Sequence, residues 1–266
     1  MRVLQNITYV ERQGQTLALD LYLPREIPKA IVLYAHGGGF IKGHRNGPEV
    51  APIADRLIRD GYALASLSYR LKTPLETFEK SERKAIKSNR RASREAGLTL
   101  NNRLIGPAFE AARRDLEAAI GFLKTAENLH GMPNPMFAAL GTSAGGIAAL
   151  ALAYPSPHSP AIHRPFAVVT LGAALIHPWA LSDKGPPCLM IHSHFDKIIP
   201  PSDAEIAAQA ARQASAPVAL MTCARPGHNA PVEALLSDSD ADGTPYWDHM
   251  LACFEAGLIN PMPANV

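Results

Sequence analysis

The sequence predicts an α/β fold, with a mostly parallel central sheet flanked by helices, and three observations predict it. Short apolar runs of strand length alternate with helix-length segments along nearly the whole chain. Two of those runs pass straight into glycine-rich turns: residues 30–35 into His36-Gly37-Gly38-Gly39-Phe40, and residues 136–140 into Gly141-Thr142-Ser143-Ala144-Gly145. Two more, residues 188–192 and 218–223, end in loops that carry Asp196 and His228. A parallel sheet gathers its functional groups at such strand ends.

The elements follow in order. Residues 7–12 and 16–23 flank Gln13-Gly14-Gln15 as an opening hairpin. Residues 30–35 form a short buried strand, and 48–60 a helix stopped by Gly61. Residues 63–69 are the next strand, ending in Tyr69-Arg70-Leu71. A long helix over 107–127 places Ala111, Leu116, Ala119, Ile120 and Leu123 on its apolar face. The run 144–154 is a helix, 166–171 a strand, and 202–215 a helix begun by Ser202 or Asp203. Shorter helix signals occupy 232–236 and the chain's last stretch. With no repeat and no low-complexity linker, residues 1–266 read as a single domain.

Residues 72–106 interrupt the alternation and are far longer than an ordinary connection. Lys80, Arg83, Lys84, Lys87, Arg91 and Arg94 recur there at steps of three and four, on one face of a helix, opposed by Glu79, Glu82 and Glu95. Two readings follow: a solvated surface helix, or a cap whose basic face steers carboxylated or phosphorylated substrates to a site. The scarcity of large apolar residues argues against a lid that opens on an oil interface.

Composition bounds the function. Apolar residues make up 47% of the 266, enough for a two-sided sheet core, and the net charge of +2 provides no basis for binding a polyanion. The three cysteines, Cys188, Cys223 and Cys253, are expected as buried free thiols. Neither a leader-like apolar core nor a run of membrane-span length is evident, so a soluble, cytoplasmic protein is the expectation. An exported protein sequenced after processing would read the same way.

The chemistry centres on Ser143. A strand that passes directly into a helix leaves no room for side chains beside the turn, which Gly141 and Gly145 satisfy. A serine hydroxyl needs a base within hydrogen-bond reach, and His228 is the candidate. Asp196 is the candidate to orient that imidazole, with Asp203 as its rival. Gly37 and Gly38 and the Ala144 N–H are candidate donors to a developing oxyanion. His36, His177, His192 and His194 read as structural residues, and no metal spacing links them. Asp238-Ser239-Asp240-Ala241-Asp242-Gly243 opens like a calcium loop, but its eighth and twelfth positions are Pro245 and His249, so it reads as a solvated acidic loop.

The HGGGF and GTSAGG segments, Asp196 followed by Lys197-Ile198-Ile199-Pro200, and His228, in that order, resemble the alpha/beta-hydrolase superfamily. Within it the chain looks similar to HGGG-type carboxylesterases, the small hormone-sensitive-lipase-like and feruloyl-esterase-like enzymes, over roughly residues 15 to 255. The resemblance implies a catalytic triad Ser143, Asp196 and His228, an oxyanion hole from Gly37, Gly38 and Ala144, no cofactor, no metal, and a small-molecule ester as substrate. It points to Phe40, Thr142, Leu175 and Trp179 as pocket residues. Thr142, where the hormone-sensitive-lipase-like enzymes usually carry an acid, leans toward the feruloyl-esterase-like branch. Ser193-His194 replaces a pair of small residues and is expected to narrow or polarise the pocket. The same constellation serves arylformamidases, other amidases, thioesterases and acyltransferases, and also the scaffold of ligand receptors, which commonly lose a triad member. Nucleic-acid binding is not implied, and oligomeric state is left open.

Overall fold

The computed structural model describes residues 1–260; residues 261–266 of the expected single domain lie outside them. Strands β1 (Arg2–Arg12) and β2 (Gln15–Leu23) form the opening hairpin, followed by β3 (Ile31–Ala35), helix α1 (Val50–Arg59) and β4 (Ala63–Leu67). The 72–106 excursion holds α2 (Lys80–Glu95) and a 3-10 turn, Asn102–Ile105, before α3 (Pro107–Thr125) and the short α4 (Glu127–His130). Then come β5 (Phe137–Thr142), α5 (Ala144–Ala153), β6 (Ala167–Leu171), β7 (Cys188–Ser193), α6 (Pro201–Ala214), β8 (Val218–Cys223), α7 (Ala230–Ser237) and α8 (Tyr246–Ile259).

The strands form one eight-stranded sheet in the order β1-β2-β4-β3-β5-β6-β7-β8. β2 runs antiparallel to both β1 and β4, and every later pairing is parallel. β3, β4, β5, β6 and β7 are buried at every position, because helices cover both faces of a parallel sheet and leave no side for polar alternation. One face packs against α3, α5 and α6; the other packs against α1, α7 and α8. α5 lies deepest, with all ten residues buried, which matches a sequence without a single charged side chain.

The excursion adds a helix but hardly a second core. α2 begins with a reciprocal capping box between Glu79 and Glu82 and buries Ile86, Asn89 and Ser93, spaced to share one face. Ser93 Oγ donates to the Ile176 carbonyl at 2.8 Å, and Glu82 pairs with Arg114 of α3. Lys80, Lys84, Lys87 and Arg91 point to solvent, and Arg91 pairs with Glu95 at 3.2 Å. Neither Ser202 nor Asp203 caps α6, which starts at Pro201 behind Pro200. Asp203 is buried and instead accepts the Thr99 N–H at 2.9 Å, tying the end of the excursion to α6.

His177 is the least comfortable buried group. It is fully buried against the rings of Phe109 and Trp179, and among the described residues neither ring nitrogen has a partner in good hydrogen-bond geometry, the Tyr154 backbone lending it polar support. Burial, which outweighs the nearby Glu110, lowers its pKa to about 4. The unfolded chain therefore takes up this proton first. The stability held by neutral His177 is complete above the unfolded pKa near 6.5 and drains as pH falls toward 4, by roughly 3 kcal/mol in all. Urea unfolding of His177→Phe should show a shallower loss of stability between pH 7 and pH 5 than the parent. Parallel pH slopes would show that the burial is relieved by other means.

Candidate active site

The turn that carries Ser143 is built by close packing. Ser143 sits between β5 and α5 at φ 49° and ψ −118°, a backbone region that costs a serine roughly 1–3 kcal/mol. Hydrogen bonds on both sides hold it there: the Ser143 N–H donates to the Leu171 carbonyl at 2.9 Å, and the Ile147 N–H donates to the Ser143 carbonyl at 3.0 Å. The strain lifts the hydroxyl off the sheet into a cleft of about 870 Å³.

The loops after β7 and β8 bring the other two groups to this point. His228 Nε2 lies 2.7 Å from Ser143 Oγ, and Nδ1 lies 2.7 Å from Asp196 Oδ2. A carboxylate beside Nδ1 must be an acceptor, so Nδ1 carries the proton and Nε2 is left to accept from the serine. Gly227, at φ 106°, turns the chain so that His228 faces inward.

Asp196 is buried, which alone would raise its pKa. His228 and the N–H groups of Ile199 and Ile198 outweigh that, and the carboxyl is held below its usual range. The two N–H groups reach Oδ1 at 3.0 and 2.8 Å, which is the physical content of the Lys197-Ile198-Ile199-Pro200 continuation. His192 Nε2 donates to the Ile199 carbonyl at 3.0 Å and braces the same turn. Asp203, the rival carboxylate, is engaged by Thr99 and has no contact with His228. Among the described residues, Asp196 alone pairs with the His228 imidazole.

The glycine loop closes the site from the side of β3. Gly38, Gly39 and Phe40 have φ of 116°, 64° and 59°, a left-handed run that reverses the chain at the end of β3. Gly37 lies so near the Ser143 turn that a Cβ there would stand 3.4 Å from Ser143 Cβ. Ala144 starts α5, where a first-turn N–H has no partner within the helix. Gly37, Gly38 and Ser143 all line the cleft.

Tyr69 and Arg70 are the loop's scaffold. Tyr69 stacks on His36 with ring centroids 4.3 Å apart and donates from its hydroxyl to the His36 carbonyl at 2.6 Å. Arg70 grips Asp115 of α3 through Nε and Nη2 at 3.0 and 2.9 Å, fixing the end of β4. His36 Nδ1 donates to the Gly37 carbonyl at 2.7 Å.

The pocket differs from expectation. Of the four candidates, Thr142 lines the cleft, near Tyr34, whose hydroxyl donates to Glu49 at 2.8 Å. Phe40 turns inward at its positive φ and packs between Tyr69 and Phe109. Leu175 is fully buried in the core, and Trp179 borders a separate groove with Pro178 and Ile206. Ser193 donates to the Arg225 carbonyl at 2.7 Å and His194 faces solvent, so neither shapes the cleft. None of the basic residues of α2 reaches the cleft; Arg103 and Leu104, from the 3-10 turn after it, do. Asn101 in the sequence, a good cap residue before that turn, was the one signal that could have found them.

The acidic loop is closed by its own contacts. Asp238 pairs with Arg225, and Asp240 accepts from His249 Nε2 at 2.7 Å and from the Thr244 N–H at 2.9 Å. Cys188 and Cys223 are buried, Cys253 is partly so, and all three are free thiols. Among the described residues, no helix is long and apolar enough to cross a membrane.

The sheet order and its flanking helices are those of the alpha/beta-hydrolase fold. Residues 19–81 match the model of the BD-FAE family, the bifunctional feruloyl/acetyl esterases, a span that holds the glycine loop but not Ser143. Esterase 2 of Thermogutta terrifontis, phosphorylated by paraoxon, superposes with a TM-score of 0.67 over 98% of this chain and 96% of its own, at 15% identity. The propionate-bound form of that enzyme gives 0.63 over 97% and 95%, at 14% identity. No curated protein sequence matches the chain.

Proposed function

We propose that this protein is a serine esterase that hydrolyses short-chain carboxylic esters through an acyl-enzyme on Ser143. One observation carries the reading: hydroxyl, imidazole and carboxylate form an unbroken chain of two 2.7 Å contacts at the floor of an open cleft. His228 Nε2 takes the hydroxyl proton as Ser143 Oγ attacks the carbonyl carbon. The oxyanion accepts from the N–H groups of Gly37, Gly38 and Ala144. His228 then protonates the leaving alcohol, and in the second half draws a proton from the water that releases the acid. Asp196 stays ionised throughout and stabilises the imidazolium. No step calls for a cofactor, and the intact triad favours catalysis over a receptor role. Structures of Thermogutta terrifontis esterase 2 with propionate and with butyrate bound support a short acyl group.

Paraoxon tests the reading directly. Attack by Ser143 Oγ forms an O–P bond, expels p-nitrophenolate and leaves a diethylphosphoryl serine. Peptide mass spectrometry should find the label on Ser143, in step with loss of p-nitrophenyl acetate turnover. Turnover that persists with Ser143 unlabelled would overturn the assignment. Esters should be cleaved faster than matched amides and thioesters in a parallel panel.

A further inference from the structure

We propose that Arg103 forms an anion subsite in the cleft, selecting esters that carry a second, carboxylate group. The proposal rests on the esterase reading and names the class of substrate it takes. The Arg103 guanidinium lies against the glycine loop: a Cβ on Gly39 would stand 3.1 Å from its Nη2 and 3.3 Å from its Nε. Gly39 is thus small where the guanidinium approaches. Among the described residues, no carboxylate pairs with Arg103 and no side-chain hydrogen bond engages its guanidinium, although it lines the same cleft as Ser143.

Its backbone, by contrast, is firmly held. Asn101 Oδ1 accepts the Arg103 N–H at 3.0 Å, and the next two residues, Leu104 and Ile105, are buried. Arg94 donates to the Leu98 carbonyl at 2.7 Å and to Asn102 Oδ1 at 2.9 Å, bracing the approach to the turn. A guanidinium on a fixed turn with its fork unspent suits a carboxylate.

The other charges in the cleft are arranged to leave that side positive. Glu49, just before α1, and Glu233, on α7, stand at the layer across the sheet from the one into which Leu104 packs. Glu49 accepts the Tyr34 hydroxyl, and Glu233 pairs with Arg225 at 3.2 Å. Lys42 and His44 follow the glycine loop and also line the cleft, while His36 and His228 at its floor are neutral imidazoles, His36 with its pKa lowered by burial. Gly37 and Gly39 are at most about 7 Å apart along the chain, so the carboxylate of the substrate sits a short spacer from the scissile carbonyl.

The test compares charged and neutral esters of matched shape. Monoethyl glutarate against ethyl pentanoate places the carboxylate on the acyl side; 4-acetoxybenzoate against its methyl ester places it on the alcohol side. Arg103→Gln should lower the charged-to-neutral ratio of kcat/KM about ten-fold in one pair, through KM, the worth of one charge-assisted hydrogen bond. Lys84→Gln with Arg91→Gln on α2 should leave that ratio where it was. Equal losses on charged and neutral esters, or an unmoved ratio in both pairs, would overturn the subsite. Calorimetric titration of Ser143→Ala, with and without Arg103→Gln, uses the charged esters and needs no turnover; the second change should weaken binding about ten-fold. If wild type cleaves neither neutral ester, the esterase reading falls and this titration still decides the subsite, equal affinities overturning it.

Discussion

Ser143→Ala should lower kcat for p-nitrophenyl acetate by about 10⁵-fold or more, with the fold intact. The magnitude follows from the way a triad acts as a unit: without the nucleophile, the histidine and carboxylate have nothing to activate, and only binding and the oxyanion donors remain. The hydroxyl's polar partner in the structure is His228 Nε2, and Cβ is retained, so packing of α5 is untouched. The mutation also leaves the strained backbone at φ 49° as it was, since alanine keeps the Cβ whose sterics set that strain. Steady-state kinetics together with an unchanged thermal midpoint would establish a chemical role. A loss of only a few-fold would remove Ser143 as nucleophile.

Gly145→Ala should be strongly destabilising. Its added Cβ would land 2.5 Å from the His36 carbonyl oxygen, and nearer still to the Ala35 carbonyl. Those atoms are backbone at the end of β3, held in register between β4 and β5, and cannot swing aside as a side chain would. Overpacking against a fixed backbone costs about 3 kcal/mol or more, a large part of the stability of any domain. For a chain of this size that is a fall of roughly 10 °C in Tm. The same displacement would move the Gly37 loop, so activity should fall even where the protein still folds. A variant with the parental Tm and turnover would show that helix and strand are not in such close contact.

Much of this was legible locally. The passage from β5 through Ser143 into α5 could be read because glycine spacing and the flanking apolar runs are properties of a dozen consecutive residues. The order glycine loop, Ser143, Asp196, His228 fixed the candidates, and the turn after Asp196 showed its reason only in three dimensions, where two N–H groups face one carboxylate oxygen. The sequence favours Asp196 and leaves Asp203 as its rival. Their difference lies in what each meets: Thr99 for one, His228 for the other.

By itself, then, the sequence determined where strands give way to turns and which turns carry reactive groups. Short-range backbone sterics and apolar periodicity impose those features, and both are written in contiguous residues. The tertiary structure decided which side chains face the cleft. Phe40 and Leu175 went to the core, Trp179 to another groove, and Arg103 came to the mouth from an excursion whose conspicuous charges lie elsewhere. Facing is settled by the packing of segments far apart in the chain, and no local window contains the direction from which a distant neighbour arrives.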